Sequence, residues 1–272
     1  DPDLRTLLPA GADARSVADR HLARNRTLAA ANPKLLSGVI AISMGLRRLG
    51  QPRESLAVLE SARDRVASGD FTDIKEMRAW WWNELALVYH ALGRLDDEVA
   101  ALGAGATEME GPIANVSQII NLSKALVEHG QPERALAVFI DNKLGPVSPY
   151  GEMQMRSARG CAYTLLGRKA EADADLAYME SHAADAPASV IDLYMCRKDY
   201  DRAAADVIRR LGDPKLRRDA LLSFAQYDAP PVSAPPTLSA KAHAVLEQRP
   251  DIRAALAQAG GTVRLNVQRE DW

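Results

Sequence analysis

A glycine-centred turn recurs along this 272-residue chain at a nearly constant interval. Leu49-Gly50-Gln51-Pro52, Leu92-Gly93-Arg94-Leu95, His129-Gly130-Gln131-Pro132 and Leu166-Gly167-Arg168-Lys169 follow one another at 43, 37 and 37 residues. Lys198 takes the glycine slot 31 residues later, ahead of Asp199-Tyr200-Asp201-Arg202-Ala203. Glycine ends a helix at low cost because it reaches left-handed backbone angles without a Cβ clash. Pro52 and Pro132 then open the next helix, where a missing N–H loses no hydrogen bond. A period of this size predicts a repeat architecture.

Between the turns, apolar residues fall three and four apart. Ile40, Met44, then Ile42, Leu46, Leu49 show it, as do Ile119, Leu122, Leu126 and Ala135, Val138, Phe139. That is helix period, and no long stretch alternates as a strand does. Short connections make successive helices antiparallel neighbours, and each pair buries its stripe only by stacking on the next. A helix over about Ala12 to Ala31, rich in arginine, is expected to cap the N-terminal end. Aromatics are 5% of the chain, so the core must be mostly Ala and Leu. A formal net charge of −2 argues against a nucleic-acid scaffold. No apolar run approaches the roughly 20 residues that span a bilayer.

The segment Trp82-Asn83-Glu84-Leu85-Ala86-Leu87-Val88-Tyr89 resembles the first helix of a tetratricopeptide repeat, W-x2-L-G-x2-Y, with Ala86 in the glycine place. Ala135 and Phe139 match the second half of the next unit, Gly160 and Tyr163 then Ala172 and Leu176 the one after, and Tyr194, Tyr200, Ala203 and Val207 the last. The likeness covers roughly residues 35 to 215, and no unit is complete. It implies an all-α, right-handed α-α superhelix of about five helical pairs, with a ligand groove on the concave face. Glu98 falls where alanine packs between helices, so the helix after Gly93 is expected to be offset. On the same resemblance the concave positions are Met44 and Arg47, then Trp80, Asn83, Leu87 and His90, then Lys124, then Gln154. These eight are the predicted binding residues. Amide and hydroxyl groups beside apolar patches suit an extended peptide. The paired Lys and Asn arrangement that clamps a C-terminal carboxylate in some family members is missing.

Three consecutive tryptophans span about 200° of a helix and cannot share one face. Trp82 is expected between the helices of its own pair, leaving Trp80 as the leading ligand contact. Cys161 and Cys196 would lie on neighbouring helices with backbones about 8–10 Å apart, too far for an unstrained bridge, and are read as two buried thiols. Gly103-Ala104-Gly105-Ala106 reads as a loop. Asp96-Asp97-Glu98 reads as first-turn charges complementing a helix dipole. The five histidines never pair at metal-ligand spacing, and no nucleophile elbow or phosphate loop occurs. No catalytic, metal or cofactor site is therefore predicted.

After Tyr227, Asp228 to Pro236 is proline-rich and extended. Short helices are expected near Leu238 to Glu247 and Asp251 to Ala259, and Thr262 to Val267 alternates as a lone strand. The organisation predicted is residues 1–34 as N-terminal segment and cap, 35–228 as helical repeats, and 229–272 as linker, helical hairpin and tail. The function expected is a non-catalytic scaffold or adaptor that binds a peptide or protein on the concave face, in bacterial envelope assembly or secretion. The alternative is a structural or regulatory subunit that oligomerises or switches a partner through its convex face or C-terminal segment. The opening Asp1-Pro2-Asp3 resembles a mature exported protein, which points to the periplasm, with the cytoplasm as alternative.

Overall fold

A computed structural model describes residues 13–109, 115–141, 144, 147–232 and 236–269, almost all of them helix or connection. The Asp1–Pro9 opening lies outside the described residues. Contacts divide the chain into two units: Pro2–Ile119 with Tyr227–Ala234 and Leu265–Trp272, and Ile120–Gln226 with Pro235–Arg264.

The first unit contains α1 (Ala14–Ala31), α2 (Leu36–Arg48), α3 (Pro52–Ser61), α4 (Arg63–Ser68), α5 (Ile74–Ala91) and α6 (Leu95–Ala106). Helix α2 packs on α1, α3 and α5, and α5 packs on α3 and α6. Asp13 caps α1 through a 2.7 Å bond from the Ser16 N–H. Asp73 caps α2 from a distance, accepting from the Leu36 and Ser37 N–H groups at 2.7 and 3.0 Å. Partial burial works to raise the Asp73 pKa, but these donors outweigh it and hold it below the ordinary value. Val267, from the last stretch of chain, completes a core of Ala18, Leu22, Leu46 and Leu49.

The chain leaves this unit within α7 (Val116–Glu128). In the second unit follow α8 (Pro132–Asp141), α9 (Pro149–Leu165), α10 (Lys169–Ser181), α11 (Ser189–Cys196), α12 (Tyr200–Gly212), α13 (Arg217–Ser223), α14 (Leu238–Gln248) and α15 (Pro250–Gln258). Helix α9 packs on α8, α10 and α11, while α12 packs on α11, α13 and α15, and α14 on α11. The strand expected to stand alone has a partner: β2 (Arg264–Leu265) pairs with β1 (Gln226–Tyr227). β2 lies inside the alternating stretch Thr262 to Val267, whereas the two residues of β1 are too few to alternate.

The five turns share one geometry. Gly50, Gly93, Gly130, Gly167 and Lys198 all have positive φ, at 75°, 70°, 69°, 70° and 58°. In each, the next N–H reaches back five residues: Gln51 to Leu46, Arg94 to Tyr89, Gln131 to Leu126, Arg168 to Tyr163 and Asp199 to Tyr194, at 2.8–2.9 Å. The left-handed residue itself donates three residues back, at 2.9–3.1 Å. This is the Schellman closure, which satisfies carbonyls the helix end leaves open.

Counting from the turn residue, positions seven before and five after are buried in every case: Ser43 and Ser55, Ala86 and Glu98, Ser123 and Ala135, Gly160 and Ala172, Ile191 and Ala203. Ser55 Oγ donates to the Ser43 carbonyl and Ser123 Oγ to the Ala135 carbonyl, both at 3.1 Å. Glu98 thus occupies the slot in register, 1% exposed, and the expected offset of α6 is absent. Its carboxylate fits because His90 Nδ1 lies 3.0 Å from Oε2.

Trp82 stands against Gly105 of α6, while Trp81 is the fully enclosed indole, 1% exposed with Nε1 donating to the Leu59 carbonyl of α3 at 3.3 Å. Two further expectations are corrected. Gly103 and Gly105 lie inside α6, and a Cβ on Gly105 would stand 3.1 Å from the Cβ of Trp82. Glycine there makes room for the neighbouring tryptophan. Cys161 and Cys196 form a disulfide, with Cα atoms 5.7 Å apart. Helices α9 and α11 approach more closely than usual spacing because Gly160 has no side chain; a Cβ there would meet Leu193 at 3.0 Å.

Gly167 has open space around its Cβ position, so substitution there tests the backbone alone. Gly167→Ala should lower unfolding free energy by about 1–2 kcal/mol, and Lys198→Gly should recover up to roughly 1 kcal/mol. Urea titration of both variants checks the pair of opposite signs.

Candidate functional site

Helix α5 follows two stripes. Ala79, Trp81, Leu85, Ala86 and Val88 are buried, whereas the predicted stripe Trp80, Asn83, Leu87 and His90 is half-buried throughout. Arg63 lies over the Trp81 and Trp82 rings, at 5.4 and 5.8 Å from their centroids. Neighbouring α2 offers Met44 at 40% exposure, a large apolar side chain in the open. Trp80, Leu87 and Met44 thus remain accessible apolar groups of the first unit.

Its predicted polar members are engaged. Arg47, one turn beyond Met44, is 8% exposed and holds Glu84 with two bonds of 3.2 Å. Ser43 Oγ donates to the same carboxylate at 2.9 Å and meets Ser55 Oγ at 2.7 Å. Four polar side chains from α2, α3 and α5 therefore satisfy one another inside the unit. Removing one partner of such a pair is costly because a charge is left dry. His90 is likewise joined to buried Glu98.

In the second unit the structure brings two predicted residues together. Lys124 on α7 donates to Gln154 Oε1 on α9, and Gln154 Nε2 donates to Ser189 Oγ on α11 at 2.7 Å. Burial pushes the Lys124 ammonium down from the ordinary lysine range, against the favourable charges of Asp192 and Glu128. Nearby, Asp175 is 2% exposed and is held by Arg156 at 2.9 Å and Arg159 at 2.5 Å. Arg156 also lies over Tyr178, 3.7 Å from its ring centroid. The Asp175 bond raises the Arg159 pKa against its burial.

An aromatic–arginine contact recurs beside the turns. Arg94 covers Tyr89 at 4.5 Å, Arg168 covers Tyr163 at 4.6 Å and Arg202 covers Tyr194 at 5.2 Å. Tyr89 donates to Glu60 at 3.1 Å and Tyr194 to Glu180 at 2.7 Å. Burial and then the Glu180 partner push the Tyr194 phenol up to about 12, so it remains a donor at neutral pH.

Sequence reasoning did not find the cleft of about 650 Å³ beside Tyr194, lined by the end of α10, by α11, by α12 and by the Asp213–Leu216 connection. Its carboxylates are 26 and 33 residues apart along the chain (206−180 and 213−180), so no local motif marks it. Glu84, Ser43 and Ser55 were also missed as a network. The offsets of the two serines from Gly50, seven before and five after, recur at the other turns and were a usable signal.

No family model matches the chain, and neither a curated protein nor a solved structure is significantly similar to it.

Glu84→Leu should destabilise by about 3–5 kcal/mol by stranding Arg47, and the double change Arg47→Met with Glu84→Leu should restore much of that loss. Chemical unfolding of the four proteins of this cycle measures the coupling.

Proposed function

We propose that this chain is a non-catalytic scaffold of the tetratricopeptide type that binds an extended peptide or partner protein through apolar side chains. The observation that carries the reading is the common closure of five helix ends, with the same buried pair flanking each. Such a frame is what the tetratricopeptide resemblance leads one to expect, and its first helices are the ligand-facing ones in that family. On this reading α2 and α5 present Met44, Trp80 and Leu87 as pockets and anchors for apolar ligand side chains. Arg47 and His90 position and stabilise those helices from within, since each already holds a protein partner, and Lys124 does the same between α7 and α9. Affinity then rests on a few apolar anchors more than on ion pairs.

We further infer a periplasmic or otherwise oxidising location. The Cys161–Cys196 bond supports it, because structural disulfides persist where thiols are not kept reduced. No helix of the described residues is long and apolar enough to cross a membrane.

Panning a displayed random-peptide library against the intact protein tests the binding reading. Enriched peptides should carry apolar anchors, and Trp80→Ala should weaken them about tenfold or more, with Met44→Ala adding a smaller loss. Peptides that bind both variants as tightly as the parent protein would count against it.

A further inference from the structure

Helix α14 of the second unit is held at few points. Of its eleven residues only Ala242 and Leu246, one turn apart, are buried, while Lys241, Ala244, Val245 and Gln248 are exposed. It packs on α11, α12 and α15, and His243 lies against the Phe224 ring at 4.7 Å. Its first turn reaches further. The Ser239 N–H donates to Glu128 Oε2, at the end of α7, at 3.0 Å. Beyond its other end Arg249 pairs with Asp201 at 2.8 Å, but the Asp201 side chain is 90% exposed and such a pair holds little. A helix this short is marginal in water by itself, so α14 keeps its shape only while docked. Beneath it, α11 is mostly apolar, with Val190, Ile191, Leu193, Tyr194 and Met195 buried. A seat of that kind does not stay bare in water; it is re-covered. The chain on either side of α14 and α15 is joined independently of that seat, by the β1–β2 pairing and a 2.9 Å bond from the Gln226 N–H to the Val263 carbonyl.

We propose that α14 is an exchangeable plug: the seat on α11, α12 and the end of α7 docks a partner protein's helix, and α14 fills it until such a helix takes its place. The plug itself states the partner's chemistry. It is an amphipathic helix with a small residue and a leucine four apart on the docking stripe, like Ala242 and Leu246. Its first turn presents open N–H groups to Glu128, a carboxylate that favours the positive end of a helix and disfavours the other. Direction of docking is thereby fixed. Because α14 is tethered, it competes at high effective concentration, so the partner must hold the seat more tightly than α14 does. The seat is separate from the apolar face of α2 and α5 and does not depend on it.

Two measurements on the full chain test this. In native-state amide exchange, residues 241–246 of α14 should exchange about tenfold or more faster than residues 190–195 of α11 and 203–207 of α12, because α14 opens by itself. Equal protection of the three helices would make α14 a fixed part of the core and overturn the proposal. A fluorescent peptide with the sequence of residues 236–249 is then titrated into the parent protein and into Leu246→Asp, which takes the anchor from the internal helix and leaves the seat untouched. The variant should bind the peptide about tenfold or more tightly than the parent, whose own α14 competes. The same peptide carrying Leu246→Asp should bind neither protein. Equal binding of the unaltered peptide to parent and variant, or none to the variant, would contradict the exchange. Should Leu246→Asp not fold, the exchange rates of the parent decide alone. Trp80→Ala should leave both measurements unchanged, which separates this seat from the peptide-binding face.

Discussion

Two backbone hydrogen bonds, made at each of five helix ends, organise the rest of this chain. A left-handed residue turns the backbone so that its own N–H and the next one reach carbonyls three and five residues behind. The bond lengths and φ angles hardly differ among Gly50, Gly93, Gly130, Gly167 and Lys198. Because this closure fixes where the following helix starts, it also fixes which residues of the two helices meet. The slots seven before and five after the turn are buried each time, whatever residue fills them.

What fills those slots explains where polar chemistry sits. Alanine or glycine allows close approach and needs nothing more. Serine brings a hydroxyl that bonds across, as Ser43 does with Ser55 and Glu84. Glutamate at position 98 brings a charge that must be answered, and His90 stands beside it. Buried polar groups of this kind have to be satisfied internally, so they are withdrawn from ligand binding. The first unit is left with Trp80, Leu87 and Met44 as accessible groups of its α2 and α5 faces. In the second unit Lys124 and Gln154 are drawn into one chain with Ser189.

The helices and their turns were legible because glycine, proline and the three-four spacing are local signals. Even Lys198 could be placed in the glycine slot, since the residues after it, Asp199 to Ala203, keep the pattern. What escaped depends on contacts between residues distant in sequence. Three adjacent tryptophans gave no sign of which is enclosed, and only the contact with α3, about 100° round the helix from Trp82, singles out Trp81. The Cys161–Cys196 bond needed knowledge that Gly160 lets α9 and α11 approach below ordinary helix spacing. Gly105 looked like a loop residue because glycine is disfavoured in helices, and only the bulk of Trp82 beside it explains the choice. The hydrogen-bond partners of Arg47, His90 and Gln154, namely Glu84, Glu98 and Ser189, were not readable from spacing alone.

Amide hydrogen exchange at single-residue resolution tests the common closure most directly. The N–H groups of Gln51, Arg94, Gln131, Arg168 and Asp199 each donate to a carbonyl five residues back, and each belongs to a connection where ordinary loops exchange freely. All five should be protected to a degree comparable with the helix interiors beside them. Rapid exchange at these five, with the flanking helices still protected, would contradict the account.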